Sequence, residues 1–324
     1  MKLIYISLLV HFISSSTYGS VGIVKKALEA QFTTRNQSEL DQYYKTNVKS
    51  HIFAFPDGIA PLKSVINWPD LENMTYDQGF IFADGNFVVT YGRLNNISVF
   101  PLVGVAIARV HDGKIAEYWN VMQAEIAPNT FVQELSLGDQ LDKRGSSSNN
   151  IGNPKEKRGK SASKRAVNLS EPGRPLNFTV FSPPNGEISN KERFKNMLRQ
   201  VFVAKNFSAI PIFFKDPFVD HDPILGSVSA VNITAALMNS MPPNSTFELG
   251  FVFGRGNYVF ATRRFNVPGA KSHIFADLFR YDAGLIAEHW ILRQEEIPLE
   301  QMASNRTMFP AFPKGEGFGE SEST

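Results

Sequence analysis

Residues 112–126 read DGKIAEYWNVMQAEI, and residues 283–297 read AGLIAEHWILRQEEI. A second pair, GFIFADGNFVVTYGRLN at 79–95 and GFVFGRGNYVFATRRFN at 250–266, has the same offset of 171 residues. No gap interrupts this register between residues 79 and 126, and chance similarity does not hold one register over such a length. The chain therefore contains two diverged copies of one domain.

The match continues upstream with an offset of 170 residues. His51 aligns with His221, and the Asn-x-Ser motif at Asn36 aligns with the one at Asn206. The change of one residue falls in the loop after the histidine, where insertions are tolerated. We place the first copy at about 20–136 and the second at about 186–312.

Both copies begin with a helical pattern and continue as strands. In the first copy Val24, Ala27, Leu28 and Phe32 recur on one helical face. The later part of each copy is rich in Val, Ile, Phe and Tyr, with turns such as Asp112-Gly113. Helices followed by strands predict the α+β class, with each copy's N-terminal helices packed in a curved antiparallel sheet.

The N-terminus has the pattern of a cleaved signal peptide at 1–19. Lys2 precedes a mostly apolar run at 3–13, and Thr17 and Gly19 occupy the −3 and −1 positions of a cleavage site. A membrane anchor is the alternative, but a span needs roughly 20 apolar residues and this run has about half of them. The prediction is a secreted, extracellular protein with no membrane span.

Asparagine-linked glycosylation motifs support the same location. Several surface glycans are expected from them, because such motifs are modified on exposed segments of secreted proteins. The motifs begin at Asn36, Asn73, Asn96, Asn168, Asn177, Asn206, Asn232, Asn244 and Asn305.

The chain has no cysteine. Thiol catalysis, a disulfide framework and cysteine-based zinc sites are therefore excluded. Each copy is long enough to depend on its apolar core instead.

Basic charge is concentrated between the two copies. The net charge is only +2, yet residues 143–165 hold eight Lys or Arg side chains against a single acid, Glu156. We predict a disordered basic linker at 137–185 and a flexible tail at 313–324. Since the copies themselves are mildly acidic, nucleic acid is excluded as a partner. The Lys-Arg pairs also predict cleavage by secretory proteases, although a linker that only stays solvated has the same composition.

The segment at 112–120, Asp-Gly-Lys-Ile-Ala-Glu-Tyr-Trp-Asn, and its counterpart at 286–291 resemble the end of SnoaL-like polyketide cyclase domains, D-G-K-I-x-E-H-W-D. His51 followed by Pro-Asp-Gly at 56–58, and Asp-His-Asp-Pro at 220–223, resemble the family's H-N-P…D-G loop. The resemblance covers most of both copies. It implies two tandem cone-shaped domains of the nuclear transport factor two superfamily, each with an apolar pocket, and fold alone does not decide function there.

The first copy departs from the family at the residues that carry its chemistry. The acid/base Asp after the tryptophan is Asn120, the preceding His is Tyr118, and an Asp often found on the previous strand is Ala106. Asn does not exchange a proton at neutral pH. The first copy is therefore expected to bind ligand through Tyr118 and Asn120 without acid–base catalysis.

The second copy keeps His289 and Asp277, although Ile291 replaces the acid/base Asp. If residues 282–284 form a three-residue hairpin loop, Asp277 lies directly opposite His289 on one sheet face. A carboxylate in that place orients a histidine as a general base, so both are catalytic candidates. A purely structural Asp–His pair explains the same residues, and a two-residue loop would put them on opposite faces.

The other candidates are ligand contacts from the loop that resembles H-N-P…D-G. They are His51 in the first copy, and His221 and Asp222 in the second. A metal site made by the histidines and aspartates of the second copy is an alternative, but their positions lack a typical ligand spacing. We predict no metal and no cofactor.

Three functions remain open from the sequence. The first is a secreted tandem protein that binds a small apolar ligand or an extracellular protein, with the family's catalysis lost. The second is an enzyme of the isomerase, cyclase or dehydratase type that acts from the second copy. The third is an extracellular matrix or structural component. The sequence does not define the oligomeric state.

Overall fold

The computed structural model describes residues 19–125, 188–204, 206–221 and 244–310. The signal peptide apart from its last residue, the basic linker and the C-terminal tail lie outside these residues, as does Asp222. No helix in the described ranges is long and apolar enough to cross a membrane.

Helices lead into strands in the first copy, as its apolar pattern predicts. Helix α1 covers 19–28 and runs into a π-helical turn at Glu29–Thr33. The remaining elements, in chain order, are α2 (Gln37–Tyr43), β1 (Tyr44–Ser50), α3 (Ile59–Val65), a 3-10 turn (Pro69–Leu71), β2 (Thr75–Asp84), β3 (Phe87–Asn95), β4 (Leu102–His111) and β5 (Lys114–Ala124).

The described part of the second copy repeats this order. Its elements are α4 (Asn190–Met197), a π-helical turn (Leu198–Val203), a 3-10 helix (Phe207–Ile212), β6 (Phe214–Asp220), β7 (Thr246–Arg255), β8 (Tyr258–Asn266), β9 (His273–Asp282), β10 (Leu285–Glu295) and a 3-10 turn (Leu299–Gln301).

The two sheets have equivalent topologies, β1-β5-β4-β3-β2 and β6-β10-β9-β8-β7. Two five-stranded sheets with few helices confirm the α+β class. The first strand of each sheet departs from the expected antiparallel arrangement, because β1 runs parallel to β5 and β6 runs parallel to β10. Strands β2 to β5 form successive antiparallel hairpins, so β2 runs opposite to β5. Strand β1 pairs with β5 and not with β2, and it runs opposite to β2, the strand that follows it in the chain.

The strand registers confirm that the copies are equivalent. Ser50 pairs with Tyr118 in the first copy, and Asp220 pairs with His289 in the second. The residue after each of these strands makes an equivalent hydrogen bond. The His51 amide donates to the carbonyl of Tyr118 at 3.0 Å, and the His221 amide donates to the carbonyl of His289 at 2.9 Å. Residues that are 170 or 171 positions apart in the sequence thus occupy equivalent positions in the two sheets.

Each sheet is apolar on both faces. The inner face packs against the helices of its own copy, around residues such as Val88 and Ile115 in the first copy. The outer face packs against the other sheet, in one core that includes Trp119 of the first copy and Phe251 and Trp290 of the second. Alternation along a strand separates the faces, so Trp119 points outward while Tyr118 points inward.

Reciprocal hydrogen bonds join the two sheets. The Gln294 side chain accepts from the backbone amide of Met122 at 2.8 Å, and the Gln123 side chain accepts from the amide of Arg293 at 2.8 Å. The same two positions are joined in both hydrogen bonds, with the two copies in opposite roles, as at a two-fold interface between identical subunits. The two copies within one chain therefore pack against each other as two subunits of a symmetric dimer would.

Replacing Phe251 with Ala should lower the free energy of unfolding by about 3–5 kcal/mol, since a fully buried aromatic is lost. The Phe251 ring is 1% exposed and lies 5.1 Å from the Trp119 ring of the other copy. Because the core is shared, tryptophan fluorescence and circular dichroism in urea should report one transition. Separate transitions for the two copies would contradict a common core.

Candidate functional site

The inner face of the first copy lines a partly open cavity of about 120 Å³. Its walls come from α1, α3 and the sheet, and they include Leu28, Leu62, Ala106 and Ile115. Among the described residues that line it, none is Asp, Glu, His, Lys or Arg. The cavity is therefore uncharged as well as mainly apolar.

Two polar side chains predicted to contact ligand, Tyr118 and Asn120, lie on the wall of this cavity. They are two residues apart on β5, so they share its inner face. The Asn120 amide donates to the thioether of Met122 at 3.2 Å, which is a weak acceptor. Their function as ligand contacts stays a prediction, but their position suits it.

The Tyr118 hydroxyl is fully buried and has no hydrogen-bond partner within the described chain. Burial raises the pKa of Tyr118 to about 12. The nearby Ser50 hydroxyl partly offsets this rise, although the two groups do not reach hydrogen-bonding geometry. At neutral pH the Tyr118 hydroxyl is a protonated donor with nothing to donate to.

In the second copy the equivalent position holds a cluster of charged side chains. The Nδ1 of His289 is 3.1 Å from Asp220, and its Nε2 is 3.0 Å from Asp277. Asp277 also accepts two hydrogen bonds from Arg263, at 2.6 and 3.1 Å. Two carboxylates, one imidazolium and one guanidinium give a buried group with no net charge, which we call the charge quartet.

Protonation states follow from these contacts. Burial by itself would lower the pKa of His289, but the carboxylates of Asp220 and Asp277 together raise it to about 9. Burial would likewise raise the pKa of Asp277, and Arg263 and His289 hold it below its usual range. Both ring nitrogens of His289 then donate to carboxylates at neutral pH. A general base needs a free nitrogen, and this arrangement provides none.

The hairpin between β9 and β10 differs from the predicted one. Its loop has two residues, Ala283 and Gly284, both with positive φ, and Leu285 pairs with Asp282. The predicted three-residue loop is therefore wrong, and so is the direct pairing of Asp277 with His289.

A β-bulge nevertheless brings these two side chains together. The register shifts by one residue at Ala287, so that Asp277 pairs with Ile291 and His289 pairs with Phe279. The extra residue restores the parity that the shorter loop had reversed. Asp277 and His289 thus lie diagonally on the same face, within hydrogen-bonding distance.

The cavity and the charge quartet occupy equivalent places in the two copies. Each charged member of the quartet has a neutral counterpart in the first copy, and two of these counterparts are much smaller. From the second copy to the first, the exchanges are Arg263 to Gly92, Asp277 to Ala106, His289 to Tyr118 and Asp220 to Ser50. Gly92, Ala106 and Tyr118 all line the cavity.

Sequence comparison missed Arg263 and Gly92, although the signal was present. They align at the offset of 171, and the exchange of a long cation for glycine is the largest inner-face difference among these four positions. Gly92 matters because a Cβ there would lie 2.2 Å from the Tyr76 ring, which packs directly over it.

His51 and His221 stack on the outer-face tryptophans, and neither histidine is among the cavity-lining residues. Each ring stacks on the tryptophan of its own copy, His51 on Trp119 at 4.4 Å and His221 on Trp290 at 4.8 Å. Their Nε2 atoms lie 2.9 and 2.8 Å from the glutamates of the terminal motif, which also bind arginines. Their assignment as ligand contacts, like that of Asp222, stays a prediction.

The glycosylation motifs within the described ranges lie at the surface. Asn36 is partly exposed, because its side chain caps α2 by accepting from the Ser38 amide. The exposed ones are Asn73, Asn96, Asn206, Asn244 and Asn305. Asn168, Asn177 and Asn232 lie outside the described residues. Within those residues, no group of three or more His, Asp or Glu side chains is arranged to hold a metal ion.

Solved structures similar to this chain each match about a third of it. A Kribbella flavida protein described as a "putative ketosteroid isomerase" covers 37% of this chain and 88% of its own, at 17% identity and a TM-score of 0.31. IdmH from Streptomyces antibioticus, described as a "putative polyketide cyclase", covers 37% and 98%, at 17% identity and 0.28. An NTF2-like protein from Burkholderia xenovorans covers 34% and 86%, at 15% identity and 0.30.

The structures found include proteins described as putative polyketide cyclases and one described as a putative ketosteroid isomerase. No family model matches the sequence, and no curated protein matches it either. Fold and site together define a tandem α+β protein with an uncharged cavity in one copy and a charge quartet in the other.

Replacing His289 with Gln should destabilise the protein by about 3 kcal/mol near pH 7, since two buried carboxylates lose a cation. In the folded protein the pKa of His289 is about 9, whereas its ordinary value is 6.5. The contribution of protonated His289 to the free energy of unfolding is therefore complete below about pH 6.5 and is lost as the pH rises through about 9. Urea denaturation between pH 6 and 10 should show wild type and variant converging at high pH.

The matched control is His111→Gln, which removes a histidine that is 54% exposed beside Asp112. Its effect should stay within about 1 kcal/mol. A difference between wild type and His289→Gln that is independent of pH over this range would show that His289 is not charged in the folded protein.

Proposed function

We propose that the protein binds a small, uncharged, mainly apolar molecule in the cavity of its first copy, and that this copy performs no acid–base catalysis. The observation that supports this most directly is the cavity itself: apolar walls, no charged lining side chain, and one buried hydroxyl without a partner. A concave apolar site with a few polar groups is the usual form of a ligand site.

Catalysis is disfavoured by the ionisation of the lining groups. A general acid or base works best with a pKa near the operating pH. Burial raises the pKa of Tyr118 to about 12 and also raises the pKa values of Tyr44 and Tyr76, the other lining tyrosines. All three stay protonated at neutral pH. They are suited to donating hydrogen bonds and to packing, not to moving protons.

The chemistry of the ligand follows from the same walls. An apolar cavity of about 150 Å³ binds benzene, so a cavity of similar volume suits a molecule of about one ring. A charged ligand is disfavoured, because burying an unpaired charge costs several kcal/mol. A carbonyl or ether oxygen on the ligand would accept from Tyr118, whose buried hydroxyl is otherwise unsatisfied.

The setting that we propose is extracellular. The signal-peptide pattern and the nine glycosylation motifs support secretion, and the exposed asparagines in the described ranges are accessible to glycans. A secreted binding protein of this kind would carry or sequester its ligand outside the cell.

An enzyme that acts from the second copy is the alternative, supported by the hydrogen bond between Asp277 and His289. It requires His289 to release Asp220 or Asp277 when substrate binds, since both nitrogens are engaged. Turnover that survives His289→Gln would exclude this alternative.

Three probes of similar size test the binding proposal by titration calorimetry: acetophenone, ethylbenzene and benzoate. Acetophenone should bind about fivefold more tightly than ethylbenzene, because its carbonyl accepts from Tyr118 and a hydrogen bond contributes about 1 kcal/mol. Benzoate should not bind measurably. Tyr118→Phe should remove the preference for acetophenone and leave ethylbenzene binding unchanged.

Tyr281→Phe is the matched control. The Tyr281 hydroxyl is also buried without a partner, but it lies in the core of the second copy and not on the cavity. Wild-type preferences should survive this change. Equal binding of all three probes, or loss of the preference in Tyr281→Phe, would contradict the proposed site.

A further inference from the structure

Residues 299–310, which we call the C-terminal strap, extend from the second copy onto the first. The strap follows β10 and begins with the 3-10 turn Leu299–Gln301. Its residues Met308 and Phe309 are 1% and 3% exposed and belong to the core that both copies share.

The strap is fixed to the second copy at its end. The carbonyl of Pro310 accepts from the amide of Phe251 at 3.1 Å and from the Thr262 hydroxyl at 2.6 Å. Gly250 permits this approach, since a Cβ there would lie 2.0 Å from the same carbonyl. The strap is therefore anchored to the second copy by hydrogen bonds and by its buried side chains.

What it contacts is the loop at 51–58 of the first copy, which we call the wall loop. Arg306 donates to both carboxylate oxygens of Asp57, at 2.8 to 3.1 Å. The Nδ1 of His51 donates to the carbonyl of Thr307 at 2.6 Å, and the Ala303 amide donates to the carbonyl of Phe53 at 3.1 Å. Three separate contacts thus clamp one short loop.

The wall loop forms part of the ligand cavity. Ile52 lines the cavity from the loop, and Leu62 lines it from α3, which begins directly after the loop. Asp57 also accepts from the amide of Ser50 at the end of β1, so the residue that binds Arg306 fixes the loop to the sheet as well. Since α3 has only seven residues, its position depends on packing and on its anchors.

We infer that the C-terminal strap completes the ligand site of the first copy: Arg306 and His51 are positioning residues that hold the wall loop and α3 in the binding-competent arrangement. This inference rests on the proposed function and adds that the second copy is part of the same site. His51, predicted as a ligand contact, acts through the wall loop. Without the strap a smaller fraction of molecules has the wall loop and α3 in the binding-competent arrangement. The apparent affinity for ligand then falls in proportion to that fraction.

The test uses the full chain with Arg306→Gln, which removes the ion pair and leaves Asp57 free to accept from Ser50. Acetophenone should bind roughly two- to fivefold more weakly, the range that a partly exposed ion pair supports. Arg306→Lys, which keeps the charge, should recover part of the affinity. The matched control is Lys271→Gln, which breaks an exposed ion pair with Glu295 elsewhere on the second copy and should change nothing.

Amide hydrogen exchange of residues 52–65 in ligand-free protein gives a second readout. Exchange should be faster in Arg306→Gln than in wild type, and unchanged in Lys271→Gln. Wild-type affinity in Arg306→Gln would overturn the inference. If wild type fails to bind acetophenone, the proposed function fails on its own, and unchanged exchange in Arg306→Gln would then overturn the positioning role separately.

Discussion

The apolar outer face of each sheet is the constraint on which the rest of this structure depends. A sheet covered by helices on one side still presents its other side, and here that side carries Trp119 in one copy and Phe251 and Trp290 in the other. Exposed apolar surface of that extent requires a partner. The duplicated chain supplies it, and reciprocal bonds from Gln123 and Gln294 fix the pairing.

Because each copy covers the other's outer face, the outer residues are constrained in both, whereas the inner faces differ. The two histidine–tryptophan stacks and the glutamate–arginine pairs recur almost unchanged. On the inner faces, a neutral cavity in one copy stands where the other has a charge quartet. The two inner faces therefore differ in chemistry: one has an uncharged cavity, and the other pairs its own buried charges.

An unpaired buried hydroxyl does not by itself mark a site. Tyr118 and Tyr281 both have one, and leaving such a group unsatisfied costs about 1–3 kcal/mol in either place. What distinguishes Tyr118 is the cavity beside it, in which a ligand oxygen has room to accept. The strap makes the two copies differ further, since it extends from the second copy and contacts the loop beside the cavity of the first.

The sequence by itself determined the duplication, the α+β class and the pairs of equivalent residues, because these depend on local periodicity and on a register that holds over many residues. It also placed Tyr118 and Asn120 on one face, since strand alternation fixes their parity. The parallel direction of β1 and the bulge at Ala287 came only from the tertiary structure. A shift of one residue in strand register moves a side chain to the opposite face of the sheet, and the apolar pattern of the sequence does not reveal such a shift. The sequence therefore could not give the geometry of Asp277 and His289. The cavity was likewise decided in three dimensions, because its volume is the space left among side chains from several elements.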